Sequence, residues 1–303
     1  MRPNCYLIGA PKAGTTALAS YLAGHPNVFF SNPKEPLYWS KEFPRASHEP
    51  RYSSLRDYEL LFERVDREKH SVVAEGSTRY IYSEIAMREI LKFAPNGKFI
   101  LMVRNPIELV PAYHMEMVYS FYEDVKEFGA AWSLSRKRRV GDSVPKTCPS
   151  PKLLDYEWIG ALGQHVERVM RIVPEDRLQI IFHDDLKRDA KKVYQDALAF
   201  LDLDDDGRDE FQRINPAHQH VAPGLSKFFL APPRIMENQV LYVRDVIRLR
   251  QGKVLKIIKR ILNTKLERRP ISKALEIELK EHFREDVGRL EKLTGRNLAE
   301  WIL

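Results

Sequence analysis

Gly9-Ala10-Pro11-Lys12-Ala13-Gly14-Thr15-Thr16 has the composition of a phosphate cradle. Gly9 and Gly14 bracket it at the spacing of the nucleotide-triphosphatase loop G-x-x-x-x-G-K-[ST], and Thr16 falls on its hydroxyl position. Thr15 stands where that loop has its lysine, and the only lysine is Lys12, earlier in the run. A lysine in the usual place reaches the β- and γ-phosphates. One at Lys12 meets a shorter phosphate chain from another direction. Arg104, in the run Arg104-Asn105-Pro106, is a second candidate phosphate ligand, because its planar fork matches phosphate geometry.

The flanking residues supply elements that would aim both cations. Asn4–Ile8 is short and mostly apolar, as a buried strand is, and Ala17, Leu18, Tyr21 and Leu22 give Thr15–Leu22 an apolar face at helical spacing. A strand, a glycine turn and a helix N-terminus direct unpaired N–H groups and the positive end of the helix dipole at one spot, which suits an anion. The same residues would also serve an ordinary strand-to-helix turn, so the second cation matters. Lys98–Val103 reads as a core strand that ends at Arg104. Ligands of open α/β sheets bind beyond the carboxyl ends of strands. Two cations at two strand ends suit a nucleotide with two separate phosphate groups.

Pro11–Thr16 followed by Val103-Arg104-Asn105-Pro106-Ile107-Glu108 resembles the sulfotransferases that use 3′-phosphoadenosine-5′-phosphosulfate (PAPS). Lys34-Glu35-Pro36-Leu37-Tyr38-Trp39 resembles the K-E-P-x-[YF]-[FW] segment of their carbohydrate-type branch. Glu75-Gly76-Ser77-Thr78-Arg79-Tyr80 resembles its E-x-S/T-P-x-Y segment, with Thr78 in place of proline. Val173-Pro174 through Phe182, Asp185-Leu186 and Ala199–Leu203 resemble its later strand, acidic-Leu turn and helix end, so the likeness covers roughly residues 4 to 215.

The resemblance implies a PAPS-binding site made of Pro11, Lys12, Ala13, Gly14, Thr15, Thr16, Arg104 and Ala112, with adenosine 3′,5′-bisphosphate (PAP) as product and no metal required. Ala112 is a departure, since the family usually has a serine there whose hydroxyl contacts the 3′-phosphate. Tyr113 and Ser120 are the neighbours able to substitute. Lys12 would meet the charge that develops on the leaving group, a case of stabilisation by preorganised donors. Glu35 is implied as the base that takes the acceptor's proton, and His114, on the helix after Arg104, is the rival base. Lys34, Tyr38, Trp39, Ser77 and Arg79 are the expected acceptor-side residues, with the aromatic loop of Phe29, Phe30, Tyr38, Trp39 and Phe43 as a stacking surface. The implied acceptor is a hydroxyl, or an amine, of a carbohydrate or small molecule. A nucleotide kinase shares the strand-loop-helix, but Thr15 at the lysine position speaks against it. A degenerate, non-catalytic binding protein is the reading that Ala112 suggests.

The chain alternates strand and helix patterns, so the expected fold is α/β: a P-loop-type, mostly parallel sheet flanked by helices, with a helical C-terminal extension. Asp57–Val65, Tyr80–Phe93, Ile107–Tyr122, Leu153–Ile172 and Ile277–Leu293 read as helices, and Val72–Ala74 and Leu178–Phe182 as further strands. Residues 25–54 and 123–152 read as loops. The 303 residues are read as one domain, with 221–303 as a basic, mostly helical subdomain or lid. Within it, Val240–Arg269 interleaves basic and apolar residues, which allows helix packing, a lid or contact with an anionic membrane. The net charge of +7 suits an anionic ligand, and no nucleic-acid-binding motif accompanies it. The two cysteines, Cys5 and Cys148, do not demand a disulfide. No apolar run approaches the ~18–20 residues of a spanning helix. With a core strand almost at the N-terminus, the expectation is a soluble, cytoplasmic enzyme of bacterial type; oligomeric state is open.

Overall fold

The computed structural model describes residues 1–44, 52, 54–212 and 270–303, together with the backbone of 218–220 and 263–265. Its centre is a five-stranded sheet in the order β2-β3-β1-β4-β5. The strands are β1 (Cys5–Leu7), β2 (Val28–Phe30), β3 (Val72–Gly76), β4 (Lys98–Val103) and β5 (Leu178–Phe182), and every pair is parallel. Parallel strands covered on both faces are apolar throughout rather than alternating. Accordingly Phe99, Ile100, Leu101, Met102 and Val103 of β4 are all fully buried.

Helices α1 (Thr15–Ala23), α2 (Leu55–Glu59), α3 (Ala86–Phe93), α4 (Pro106–Tyr119), α5 (Phe128–Ser133), α6 (Ser135–Arg139), α7 (Tyr156–Gly160), α8 (Leu162–Met170), α9 (His183–Arg188), α10 (Ala190–Phe200) and α11 (Lys273–Thr294) surround the sheet. Helix α4 starts where Asn105 accepts the Ile107 amide and Pro106 takes the first turn, whose amides need no helical partner. Helix α11 ends at Gly295, in the left-handed conformation glycine tolerates. It packs Leu279, Phe283, Val287 and Leu290 inward, and its buried Asp286 accepts the Gly163 and Gln164 amides at the start of α8. The α/β expectation and the final helix therefore hold.

Several boundaries differ from the sequence reading. The stretch 25–54 contains strand β2, whose three residues are too few to show a period. The stretch 123–152 contains α5 and α6; Glu127 starts the first by accepting the Gly129 and Ala130 amides. Leu153–Ile172 is not continuous: Asp155 caps α7 through the Trp158 amide, and the chain breaks again at Ala161 before α8. Tyr80–Phe93 splits into a turn of tighter helix, Thr78–Tyr82, and α3. The basic segment 240–269 lies outside the described residues, apart from the backbone of 263–265. No helix among the described residues is long and apolar enough to cross a membrane.

Candidate active site

Strands β1 and β4 lie side by side, so the loop after one and the arginine after the other meet at their shared carboxyl end. Pairing continues past both strands. Ile8 donates to Ile100, Met102 donates to the Gly9 carbonyl at 2.8 Å, and Ala10 donates back to Met102. The backbone is left-handed at Lys12 (φ 61°) and Gly14 (φ 94°). A side chain at Gly14 would also collide with Leu186, whose Cδ2 would lie 2.7 Å from the new Cβ. Gly14 offers no side chain to cap α1, and the amides of Thr15 and Thr16 have no acceptor among the described residues. Uncapped first-turn amides, on the positive end of the helix dipole, make a ready anion site.

Arg104 is 2% exposed. It donates to the Lys12 carbonyl at 2.8 Å, which ties the end of β4 to the loop after β1. Its other N–H groups reach Glu108, one turn on in α4, at 2.6 and 3.2 Å. Lys187 shares that carboxylate at 3.0 Å. Burial alone would raise the Glu108 carboxyl, but the bonds from Arg104 and Lys187 outweigh it and hold it at about 2. Lys12 meets Glu116 of α4 at 3.2 Å. His183, at the end of β5, is lowered to about 4 by burial first and then by Arg104 and Lys187, so its ring is neutral. Its Nδ1 is buried without a partner among the described residues, a polar atom that a ligand could satisfy.

The segment after β2 brings Lys34 and Glu35 to the same place. Thr78 holds Glu35 Oε2 through its amide at 2.8 Å and its hydroxyl at 3.2 Å. Lys34 bonds the other oxygen, Oε1, and lies 3.4 Å from the Thr15 hydroxyl. Lys34 therefore bridges the carboxylate and the phosphate loop. Pro11, Lys12, Gly14, Thr15, Thr16, Lys34, Glu35, Arg104 and Ala112 all line one cavity of about 1020 Å³.

Most of the remaining expected residues lie elsewhere. Ala13 is fully buried beneath the loop. His114 is 3% exposed, gives Nε2 to the Val125 carbonyl at 2.8 Å and packs between Phe128 and Tyr156. Burial lowers its pKa. It is a buried residue and does not line the cavity. Tyr38 and Trp39 are buried as well, with Tyr38 stacked on Tyr58 at 4.7 Å and Trp39 against Phe93 at 5.0 Å. Phe43 is buried against Trp158. The expected stacking surface is thus mostly core, because partners distant in sequence cover it. Ser77 is fully buried and bonded to Glu75, and neither it nor Arg79 lines the cavity. Tyr113 is buried, whereas Ser120 does line the cavity. Thr78, Glu116, His183 and Lys187 were missed as cavity residues. The last two flank the Asp185-Leu186 turn, so a signal for them was present.

Residues 2–217 match the family model described as the sulfotransferase domain. Over 208 residues the chain is 24% identical to the bifunctional heparan sulfate N-deacetylase/N-sulfotransferase 3 of Homo sapiens, covering 66% of this chain and 22% of that protein. Over 169 residues it is 27% identical to carbohydrate sulfotransferase 15 of Homo sapiens, covering 41% of this chain and 30% of that one. The match thus spans less than a third of either relative. Among solved structures, the sulfotransferase from Alicyclobacillus acidocaldarius has the same fold, with a TM-score of 0.72, 21% identity and 99% of each chain covered. Because the family model matches more than half of the chain, the chain belongs to the sulfotransferase domain family.

Proposed function

We propose that this protein moves a sulfuryl group from PAPS to a hydroxyl or amine of a carbohydrate or small-molecule acceptor. The observation that carries the reading is the direct bond from Arg104 to the Lys12 carbonyl, which puts two phosphate-directed cations in one cavity with Lys34 and Glu35. In this reading the amides of Thr15 and Thr16, with Lys12, hold the 5′-phosphosulfate, and Arg104 takes the 3′-phosphate. His183 Nδ1 offers a further polar contact to the nucleotide. The relatives' names, heparan sulfate N-sulfotransferase and carbohydrate sulfotransferase, support a sugar-type acceptor.

The acceptor atom attacks sulfur in line, its bond to sulfur forms, and the bond from sulfur to the phosphate oxygen breaks. Glu35 takes the acceptor's proton. Thr78 holds Oε2, so the basic position falls on Oε1, to which Lys34 donates. A swing of Lys34 toward the leaving oxygen, on the side of Thr15, frees Oε1 and meets the new negative charge in one motion. PAP leaves as the second product.

The test is transfer of radiolabel from a sulfuryl-labelled donor to a panel of sugars, aminosugars and phenols. Glu35→Gln should lower kcat by about 10²–10⁴-fold, the range for loss of a general base, and leave PAP affinity unchanged. Turnover by Glu35→Gln at the wild-type rate would remove Glu35 as the base.

A further inference from the structure

Beneath the cavity lies a fully buried carboxylate that the proposed reaction does not use. Glu75, the penultimate residue of β3, is 0% exposed, and three hydroxyls point at it. Ser77 donates to Oε1 at 2.8 Å; Tyr58 and Tyr80 donate to Oε2 at 2.6 and 3.4 Å. A hydroxyl has one proton and two lone pairs. Each proton spent on Glu75 leaves that oxygen free only to accept. Two of the oxygens accept from the segment that carries Lys34 and Glu35: Leu37 donates to the Ser77 hydroxyl at 3.0 Å, and Trp39 to the Tyr80 hydroxyl at 3.2 Å. That segment is held in an unfavourable conformation. Glu35 (φ 64°) and Leu37 (φ 58°) are left-handed without being glycine, which persists only when the surroundings over-determine it. The Glu35 amide adds a third tether, to the Gly76 carbonyl at 2.8 Å.

We infer that Glu75 is a positioning residue for Glu35: its carboxylate fixes which way the Ser77 and Tyr80 hydroxyls face, and they in turn hold the amides of Leu37 and Trp39. An amide in place of the carboxylate reverses the bonding at one of its two oxygen positions, because its NH₂ can only donate. The hydroxyl on that side, Ser77 or Tyr80, must then accept from residue 75 and turn its proton elsewhere, in competition with the loop amide it holds. Tyr58 is the internal control. It bonds the same carboxylate but touches the segment only through the Tyr38 and Trp39 rings, contacts that Tyr58→Phe retains.

The catalytic consequence rests on Glu35 being the base, but the positioning can be read without turnover. Amide hydrogen exchange at Leu37 or at Trp39, whichever is held by the hydroxyl that the new NH₂ faces, should accelerate at least about tenfold in Glu75→Gln while β4 amides stay protected, and neither should change in Tyr58→Phe. If Glu75→Gln does not fold, single contacts carry the test: Ser77→Ala should release Leu37 and spare Trp39, Tyr80→Phe should do the reverse, and Ser77→Thr should restore Leu37. In the activity assay Ser77→Ala should lower kcat by up to about a hundredfold, the cost of an ångström's misplacement, at unchanged PAP affinity. Unchanged exchange at both amides in Glu75→Gln, or equal acceleration in Tyr58→Phe, would overturn the inference. A wild-type protein that transfers no sulfuryl group would count against the proposed function, with the exchange result still deciding the role of Glu75.

Discussion

Ala112 lines the cavity near Arg104 where the family resemblance expects a serine hydroxyl. Ser120, which caps the C-terminal end of α4, also carries a hydroxyl on the cavity wall. Arg104 divides its donors between the Lys12 carbonyl and Glu108, and Glu108 stays ionised because its carboxyl is held at about 2. Glu108 therefore competes with a phosphate for the guanidinium, and an added donor has room to contribute. Ala112→Ser should tighten PAP binding about tenfold, equivalent to the ~1.5 kcal/mol of one hydrogen bond to a charged group. Calorimetric titration reads this directly, and an unchanged or weaker Kd would mean that residue 112 does not face the bound phosphate. The strand-end positions of Lys12, Thr15, Thr16 and Arg104 were legible in the sequence, because local spacing alone sets them. Tyr38 and Trp39 were not. Aromatic residues beside a site look like a stacking surface until Tyr58 and Phe93, brought in by α2 and α3, cover them.

The carboxyl end of β3 carries both a structural and a functional demand, and they oppose each other. Burial pushes the Glu75 carboxyl up to about 7, the Tyr58, Ser77 and Tyr80 hydroxyls pull it back, and Glu35 adds to the rise. A carboxyl that binds its proton more tightly in the folded chain contributes stability that is fully present below its unfolded pKa of 4.5 and is lost as pH rises through about 7. The full loss is about 3 kcal/mol. The loop geometry, by contrast, needs the carboxylate as an acceptor. Glu75→Gln removes the titrating group, so its melting temperature should fall less than that of wild type between about pH 5 and about pH 8. Parallel curves would mean that Glu75 titrates as an ordinary carboxyl. At this scale the long strands and α11 were readable from period and capping. Strand β2, α5 and α6 were not, because three to six residues hold too little pattern, and α7 separates from α8 through Asp286 of α11, far away in the chain.

Across the whole molecule, the sheet order makes the site. Because β1 lies between β3 and β4, the phosphate loop is flanked on one side by Glu75 and the Lys34–Glu35 segment and on the other by Arg104. The alternation of strands and helices announced a parallel sheet, but not which strands would be neighbours. The motif spacing alone could therefore nominate the cations without showing that they share a cavity. The net charge of +7 favours an anionic ligand in general and does not choose between a bisphosphate nucleotide and a triphosphate. That choice is the central claim, and a calorimetric titration with adenosine 3′,5′-bisphosphate beside Mg-ATP and AMP tests it most directly. Two separate phosphates matched by Lys12 and Arg104 predict binding of the bisphosphate well ahead of both others, with the preference over AMP lost in Arg104→Ala. Preferential binding of Mg-ATP would contradict the account and assign the cradle to a phosphotransferase.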